Sequence, residues 1–137
     1  MANSTEVTNL NAGIVTKSNY RGNVQAIPVS LATGTGAGTH TISGVLPQEA
    51  RLIAASLFFT DPNSGSTNST ILVGHAADTD AVGTSGATSA AGEIAFPTTG
   101  SAAGSVDLGG KTLIVTTDSD VNQSVTISGY ILIATNE

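Results

Sequence analysis

Two pairs of aspartates are the residues best placed to do chemistry, because each pair sets two carboxylates close together in the chain. The pairs are Asp78 with Asp80 and Asp118 with Asp120. Calcium binds several hard oxygen ligands, so the two pairs would form a site if their loops met at one end of the domain. The first pair departs from the EF-hand pattern, which would place Val82 at a ligand position. Aspartates at strand ends also stabilise turns through hydrogen bonds to the backbone, so we expect turns and no bound metal.

The histidines and serines give little support for catalysis. A Ser-His-Asp site requires a histidine that is oriented by a carboxylate and lies beside an activated serine. His40 and His75 are the only histidines, and His75 lies three residues before Asp78. Because serines are frequent throughout the chain, the occurrence of Ser, His and Asp close together is expected by coincidence. No G-x-S-x-G motif is present. A pair of carboxylates across a cleft would suit glycoside hydrolysis, but the chain is short for a sandwich with a cleft. We therefore expect no enzyme activity, no catalytic residue and no cofactor.

The composition indicates a polar surface that carries few charges. Charged residues make up 10% of the chain and hydrophobic residues 39%, whereas an ordinary soluble domain has about 25% charged residues. The formal net charge is -6, which disfavours nucleic acid as a partner because phosphate binding depends on Lys and Arg. The first residues lack the basic and apolar regions of a signal peptide, and no apolar run approaches the roughly 20 residues of a membrane span. We expect neither nucleic acid nor a membrane as a partner.

From Asn23 onward, short apolar stretches alternate with clusters of Gly, Ser, Thr and Asn, which is typical of all-β proteins. The alternating glycines of 34–38 precede a strand-like stretch and no helix, so they predict a hairpin loop instead of a phosphate-binding loop. Residues 78–92 predict a long loop or a weak strand. No segment combines helical periodicity with caps, although 49–56 allows a short helical turn. The predicted strands are 24–31, 39–43, 50–60, 69–75, 92–97, 104–108, 111–117 and 123–134.

The last predicted strand has the clearest periodicity of two residues, which indicates a half-buried strand. Its core face carries Val125, Ile127, Ile131 and Ile133. Segment 50–60 is apolar on both faces, so we expect it in the middle of its sheet. About eight strands in one all-β domain predict a single β-sandwich, with a jelly roll preferred over an immunoglobulin-like topology.

Residues 106–115 predict a tight β-hairpin, because two central glycines tolerate the positive φ angles of a type I′ turn. Counting outward from the turn places four apolar side chains on one face, and the Lys111 ammonium then extends outward to solvent. The predicted core residues of this hairpin are Val106, Leu108, Leu113 and Val115.

Residues 1–19 are polar, with isolated apolar side chains and no strand pattern. We therefore divide the chain into an N-terminal arm, 1–19, and a β-sandwich domain, 20–137. One interpretation of the arm is a frayed terminus, which is common. The other is a segment that binds a neighbouring subunit through its apolar anchors. Those anchors are Val7, Leu10, Ile14 and Val15.

Four stretches resemble segments of the β-sandwich structural proteins of tailed-phage virions. They form a strand, a second strand that ends in a D-x-D loop, and two closing strands after a stretch rich in Gly, Ala and Ser. The resemblance covers about two-thirds of the chain, from Leu46 to the end. The four stretches are 46–57, 71–81, 113–121 and 125–133.

This resemblance implies a capsid decoration (cement) protein, often a trimer, that binds the major capsid protein on the virion surface after assembly in the host cytoplasm. It implies no catalytic residues. Tail and fibre proteins share such folds, so the alternative is a tail- or fibre-associated module that binds a receptor or carbohydrate. Sugar sites usually need aromatic platforms, and the chain has no Trp and two Tyr, which favours the cement protein.

Overall fold

The computed structural model describes residues 23–65, 67–94, 96 and 106–135. These residues form β-strands joined by turns and loops, and they contain no helix. The predicted all-β class is therefore confirmed. The strands are β1 (Asn23–Ala32), β2 (Gly38–Val45), β3 (Arg51–Phe59), β4 (Ile71–His75), β5 (Asp78–Thr84), β6 (Gly92–Glu93), β7 (Thr112–Thr117) and β8 (Thr126–Thr135).

Two antiparallel sheets of four strands make up the sandwich. Sheet A has the order β1-β8-β3-β6, and sheet B has the order β2-β7-β4-β5. Apart from β4 and β5, every pair of consecutive strands is divided between the two sheets. This is the arrangement of a jelly roll, so the preferred topology is confirmed.

The core between the sheets is mostly aliphatic. The predicted core face of β8 is confirmed, because its apolar side chains are fully buried. Among the described residues Phe59 is a buried aromatic side chain of the core and Phe96 packs against it, while Val, Leu and Ile supply most of the core volume. Its largest fully buried side chains are Leu52, Leu57, Ile71, Leu108, Leu113, Ile127, Ile131, Ile133, Val73, Val82, Val115 and Val121.

Segment 50–60 forms β3, which lies between β8 and β6 as predicted for an interior strand. The helical turn considered over 49–56 is absent, because β3 begins at Arg51 and pairs with β8 along most of its length. The approach of these two strands requires glycine at position 129, which has a φ of 135°. A Cβ atom there would overlap the carbonyl oxygen of Ser56 in β3.

The predicted hairpin over 106–115 is wrong in its strand pairing. Asp107 bridges to Arg51 of β3, whereas β7 pairs with β2 on one edge and with β4 on the other. Because both edges of β7 are occupied, residues 106–108 have no place beside it. The turn is also not type I′, which needs positive φ at both central residues; of its two glycines only Gly110 has one, at 70°.

The core residues predicted from that hairpin are nevertheless confirmed. Leu108, Leu113 and Val115 are fully buried, and Val106 packs against the core. Lys111, whose ammonium was predicted to extend outward to solvent, is partly exposed. Periodicity therefore identified the buried face correctly, although the two flanking stretches contribute to different sheets.

Three other elements differ from the prediction. The low-complexity stretch 78–92 begins with a seven-residue strand, β5, because Ala81 and Val82 become buried when it pairs with β4. Of the predicted strand 92–97, Gly92–Glu93 forms a strand whereas Ile94 and Phe96 do not. Of 104–108, the described residues 106–108 form only the bridge at Asp107. Residues 33–37 connect strands of different sheets, so they do not form the predicted hairpin loop.

Candidate interaction surfaces

One end of the sandwich gathers the connections 33–37, 60–70, 85–91 and 118–125, and we call it the loop end. Backbone hydrogen bonds join these connections to one another. Gly36 N donates to the Val121 carbonyl oxygen (2.7 Å), and Asn122 N donates to the Pro62 carbonyl oxygen (3.1 Å). The turns of the loop end are therefore hydrogen-bonded to one another and are not independent loops.

Asn63 is the centre of this loop end, with 2% of its surface exposed. Its Nδ2 donates to the carbonyl oxygen of Asp120 (2.6 Å) and to Ser69 Oγ (3.3 Å). Its Oδ1 accepts from Gly65 N (2.8 Å) and from Asn122 Nδ2 (3.1 Å). An asparagine side chain has two donor hydrogens and two acceptor lone pairs, so this buried amide is fully satisfied.

Asp118 makes the turn contacts that the sequence predicts for it. Its Oδ1 accepts a hydrogen bond from Asp120 N (3.1 Å), which closes the turn after β7. Its Oδ2 accepts from Thr70 N (2.9 Å), immediately before β4. The carboxylate thus connects two neighbouring turns of the loop end and stabilises their backbones.

The other aspartate pair lies at the opposite end of sheet B. Ile71 pairs with Thr117, next to Asp118, whereas Asp78 pairs with His75 at the far end of β4. The two pairs therefore cannot share one cation, and the condition for a joint calcium site is not met. A side-chain hydrogen bond with Asp78, and to a lesser degree desolvation, raises the pKa of Asp80 above its ordinary value.

Chelation is expected to leave the thermal stability of the protein unchanged, within about 1 °C. A bound cation would stabilise the folded state by mass action, and losing only ~1 kcal/mol would lower the Tm by several degrees in a domain of this size. The measurement is differential scanning fluorimetry with and without EDTA. A drop of more than about 3 °C that calcium restores, and magnesium does not, would contradict the expectation.

The two histidines lie on different strands of sheet B. His40 is on β2 and half-buried, and β7 separates it from His75 on β4. His75 is 7% exposed, and its Nδ1 has no hydrogen-bond partner in the part of the chain that the structure describes. A catalytic histidine needs a partner that orients its ring, and none of the described residues hydrogen-bonds to this nitrogen.

The surface that the sequence reasoning missed is the outer face of sheet A, meaning the side of β1, β8 and β3 away from the core. Its side chains lie in register across three strands. Ala26 is opposite Leu132, which is opposite Ala54, and Pro28 is opposite Tyr130. The apolar members of this face are Val24, Ala26, Pro28, Ala54, Phe58, Tyr130, Leu132 and Ala134.

This face exposes large apolar side chains to solvent. Val24 is 53% exposed, Phe58 49% and Tyr130 44%. The strands of sheet A carry two charged residues, Arg51 and Glu93, and both lie at the margins of the face. The largest apolar patch on a soluble monomer is typically about 300–600 Å² and is often functional.

The outer face of sheet B has a different character. Thr39 of β2 is opposite Thr116 of β7, which is opposite Leu72 of β4, and Leu72 is opposite Thr84 of β5. Thr41 is exposed beside Ile114 on the same face. This face therefore mixes threonine hydroxyls with apolar side chains: Thr116 Oγ1 is buried without a hydrogen-bond partner among the described residues, and Val45 is 74% exposed.

The predicted arm, residues 1–19, lies outside the described residues, together with its anchors Val7, Leu10, Ile14 and Val15. None of the residues that the structure describes forms a helix of the length and hydrophobicity that a membrane span requires.

Among solved structures, the chain is similar to one in the cyanophage Pam1 capsid asymmetric unit, with 19% sequence identity and a TM-score of 0.59. The match covers 98% of this chain and 99% of that chain. The fold is shared with a phage capsid chain. At this identity the likeness shows the jelly-roll fold of the chain and nothing finer.

A second similar structure is that of infectious bursal disease virus, Gx strain, at 19% identity and a TM-score of 0.37. This match covers 96% of the present chain but 37% of the viral one. No protein-family model matches the sequence, and no curated protein matches it either.

Proposed function

We propose that the protein is a non-enzymatic virion structural protein that decorates and cements a phage head by binding the major capsid protein. The observation that carries this proposal is the end-to-end match with a chain of the cyanophage capsid asymmetric unit, which covers 98% of one chain and 99% of the other. A match that extends over nearly the whole of both chains supports a common architecture with a chain of a phage capsid.

The surface chemistry supports a cementing role. Cement proteins act by burying area across several subunits, and a stable protein interface buries about 1,600 Å² in total. Here an apolar face of sheet A lies next to a loop end whose turns are held by side-chain hydrogen bonds. Preformed surfaces lose little conformational entropy on binding, so both surfaces suit repeated contacts between subunits.

We further propose that the chain assembles in the host cytoplasm, forms a homotrimer and attaches to the capsid surface, with residues 1–19 reaching onto another subunit or the shell. Burial of the anchors Val7, Leu10, Ile14 and Val15 would contribute about 1.5–3 kcal/mol each. Ordering the backbone costs about 1–2 kcal/mol for each fixed residue. The two quantities are close, so the arm gains order only against a partner.

Truncation of the arm tests the proposal. Deletion of residues 1–19 should leave the circular dichroism spectrum and Tm of the sandwich unchanged but weaken binding to phage heads assembled without this protein by at least about 10-fold, because about 1.4 kcal/mol of contact is lost. Cosedimentation with purified heads gives the affinity. A shorter deletion, 1–5, keeps every anchor and is the matched control.

The outcomes of this test separate the parts of the proposal. Failure of the full chain to bind heads would overturn the cement function. Equal binding by the full and truncated chains would make the arm a frayed terminus, and unfolding of the truncated chain would place the arm in the core.

The alternative function, a tail- or fibre-associated module for a receptor or carbohydrate, has one observation in its favour. Tyr130 and Phe58 are exposed on the same sheet face, and sugars stack on exposed aromatic rings. Glycan-array binding that Tyr130→Ala abolishes, together with a lack of binding to heads, would favour this function over cement.

A further inference from the structure

We propose that the outer face of sheet A is the docking site for residues 7–15 of a neighbouring copy of this chain. The inference rests on the proposed arm and adds the surface to which the arm binds. It connects a segment outside the described residues with an apolar face that faces solvent in the isolated subunit.

The chemistry of the segment matches that of the face. Residues 7–15 read VTNLNAGIV, which includes every anchor and no charged residue; the nearest charges are Glu6 and Lys17. The face likewise holds its charged residues, Arg51 and Glu93, at its margins. Docking therefore buries apolar area on both partners without desolvating a charge.

The size of the face fits an extended segment better than a whole subunit. Four rows of side chains on three strands span about 20 Å by about 10 Å, given about 3.3 Å per residue and about 4.8 Å between strands, and they include Ser30, Ser56 and Ser128. The resulting area of roughly 200 Å² of sheet is well below the roughly 800 Å² of accessible surface that each partner buries in a stable interface. Nine extended residues are about 30 Å long and would run the length of the face, with Leu10 and Ile14 on the side toward it, because successive side chains of an extended chain alternate.

The path of the chain favours a neighbouring copy over the same copy. β1 starts at Asn23, which pairs with Thr135 at one end of sheet A, so the chain that precedes it leaves the sheet at this end. Val15 lies eight residues before Asn23, which allows a reach of about 26–29 Å. A straight course carries the anchors away from their own subunit, whereas docking on the same subunit requires the chain to reverse.

The absence of native cysteine allows a direct test with single-cysteine copies. Full-length Leu10→Cys protein is mixed with a size-tagged Ala54→Cys copy, and a short bismaleimide crosslinks neighbouring thiols without the strict geometry of a disulfide. We expect a heterodimer band at the summed mass. The matched control is a tagged Thr41→Cys copy, which presents its thiol on the outer face of sheet B and should give at least about 10-fold less product.

Three results would overturn the inference. One is equal crosslinking to Thr41→Cys and Ala54→Cys copies. Another is an intramolecular product alone from a chain that carries both Leu10→Cys and Ala54→Cys, which would place the arm on its own subunit. The third is the lack of any Leu10→Cys to Ala54→Cys product under conditions where the full chain still binds heads, which would leave the cement function standing and remove the docking site.

Discussion

Replacement of Gly129 by alanine is expected to cost the protein about 3 kcal/mol or more of its free energy of unfolding. Position 129 has a φ of 135°. Residues with a side chain rarely adopt this region because it costs them about 1–3 kcal/mol. The new Cβ would also overlap the Ser56 carbonyl oxygen and lie 3.1 Å from Leu57 Cα. Both contacts are with backbone, so relief requires β8 to move away from β3. Urea denaturation followed by circular dichroism measures the loss.

Gly86→Ala is the matched control for this variant. Gly86 also has a positive φ, 66°, but a Cβ there meets nothing within 4 Å. It should lose only about 1 kcal/mol, the cost of a left-handed backbone for an ordinary residue. If both variants lose the same stability, the close approach of β8 and β3 is not what requires glycine.

Asn63→Ala should destabilise the protein by about 2–4 kcal/mol and loosen the loop end. The substitution leaves the Asp120 carbonyl oxygen and Asn122 Nδ2 without their partner in a part-buried setting. Each such unsatisfied polar group costs about 1–3 kcal/mol. Urea denaturation gives the global loss, and hydrogen exchange at Gly65, whose amide donates to Asn63 Oδ1, reports the local opening.

Two comparisons show whether hydrogen bonding is the cause. Asn68→Ala removes an exposed asparagine from the same connection and should change stability by less than about 0.5 kcal/mol. Asn63→Asp keeps the shape but replaces the Nδ2 donor with an oxygen that faces the Asp120 carbonyl oxygen, so it should destabilise at least as much as alanine. A neutral effect of Asn63→Asp would mean that Asn63 acts by filling space.

Structural features that depend on local periodicity, such as the buried face of a strand, could be predicted from the sequence. The alternation of Val125, Ile127 and Ile131 identifies the buried face of β8 because a strand turns successive side chains to opposite faces. The same rule found the core residues near 106–115 although the hairpin itself was wrong. Pairing is a non-local property: nothing within 106–115 indicates that β2 and β4 occupy both edges of β7.

The features of the candidate surfaces were harder to predict for the same reason. In the sequence, Asn63 is indistinguishable from other polar loop residues, because its burial and hydrogen bonds arise only in the folded loop end. The separation of Asp78 from Asp118 depends on the register of β4 against β7, which sequence spacing does not encode. Part of the outer face of sheet A could have been predicted from the sequence, because Tyr130 and Leu132 alternate with the core residues of β8. The extent of this face depends on which strands pair with β8.

The pairing of β1 with β8 sets the order of events during synthesis. Asn23 pairs with Thr135 and Ala32 with Thr126, so β1 lacks its described neighbour in sheet A, β8, until residues 126–135 have been made. Folds dominated by such distant pairings fold slowly, on a scale of milliseconds to seconds. β1 must therefore remain unpaired through most of translation, and the low charge of the chain offers little electrostatic repulsion against aggregation during that time. Chaperone dependence and expression temperature should consequently affect the yield of this protein more than they affect a helical domain of equal length.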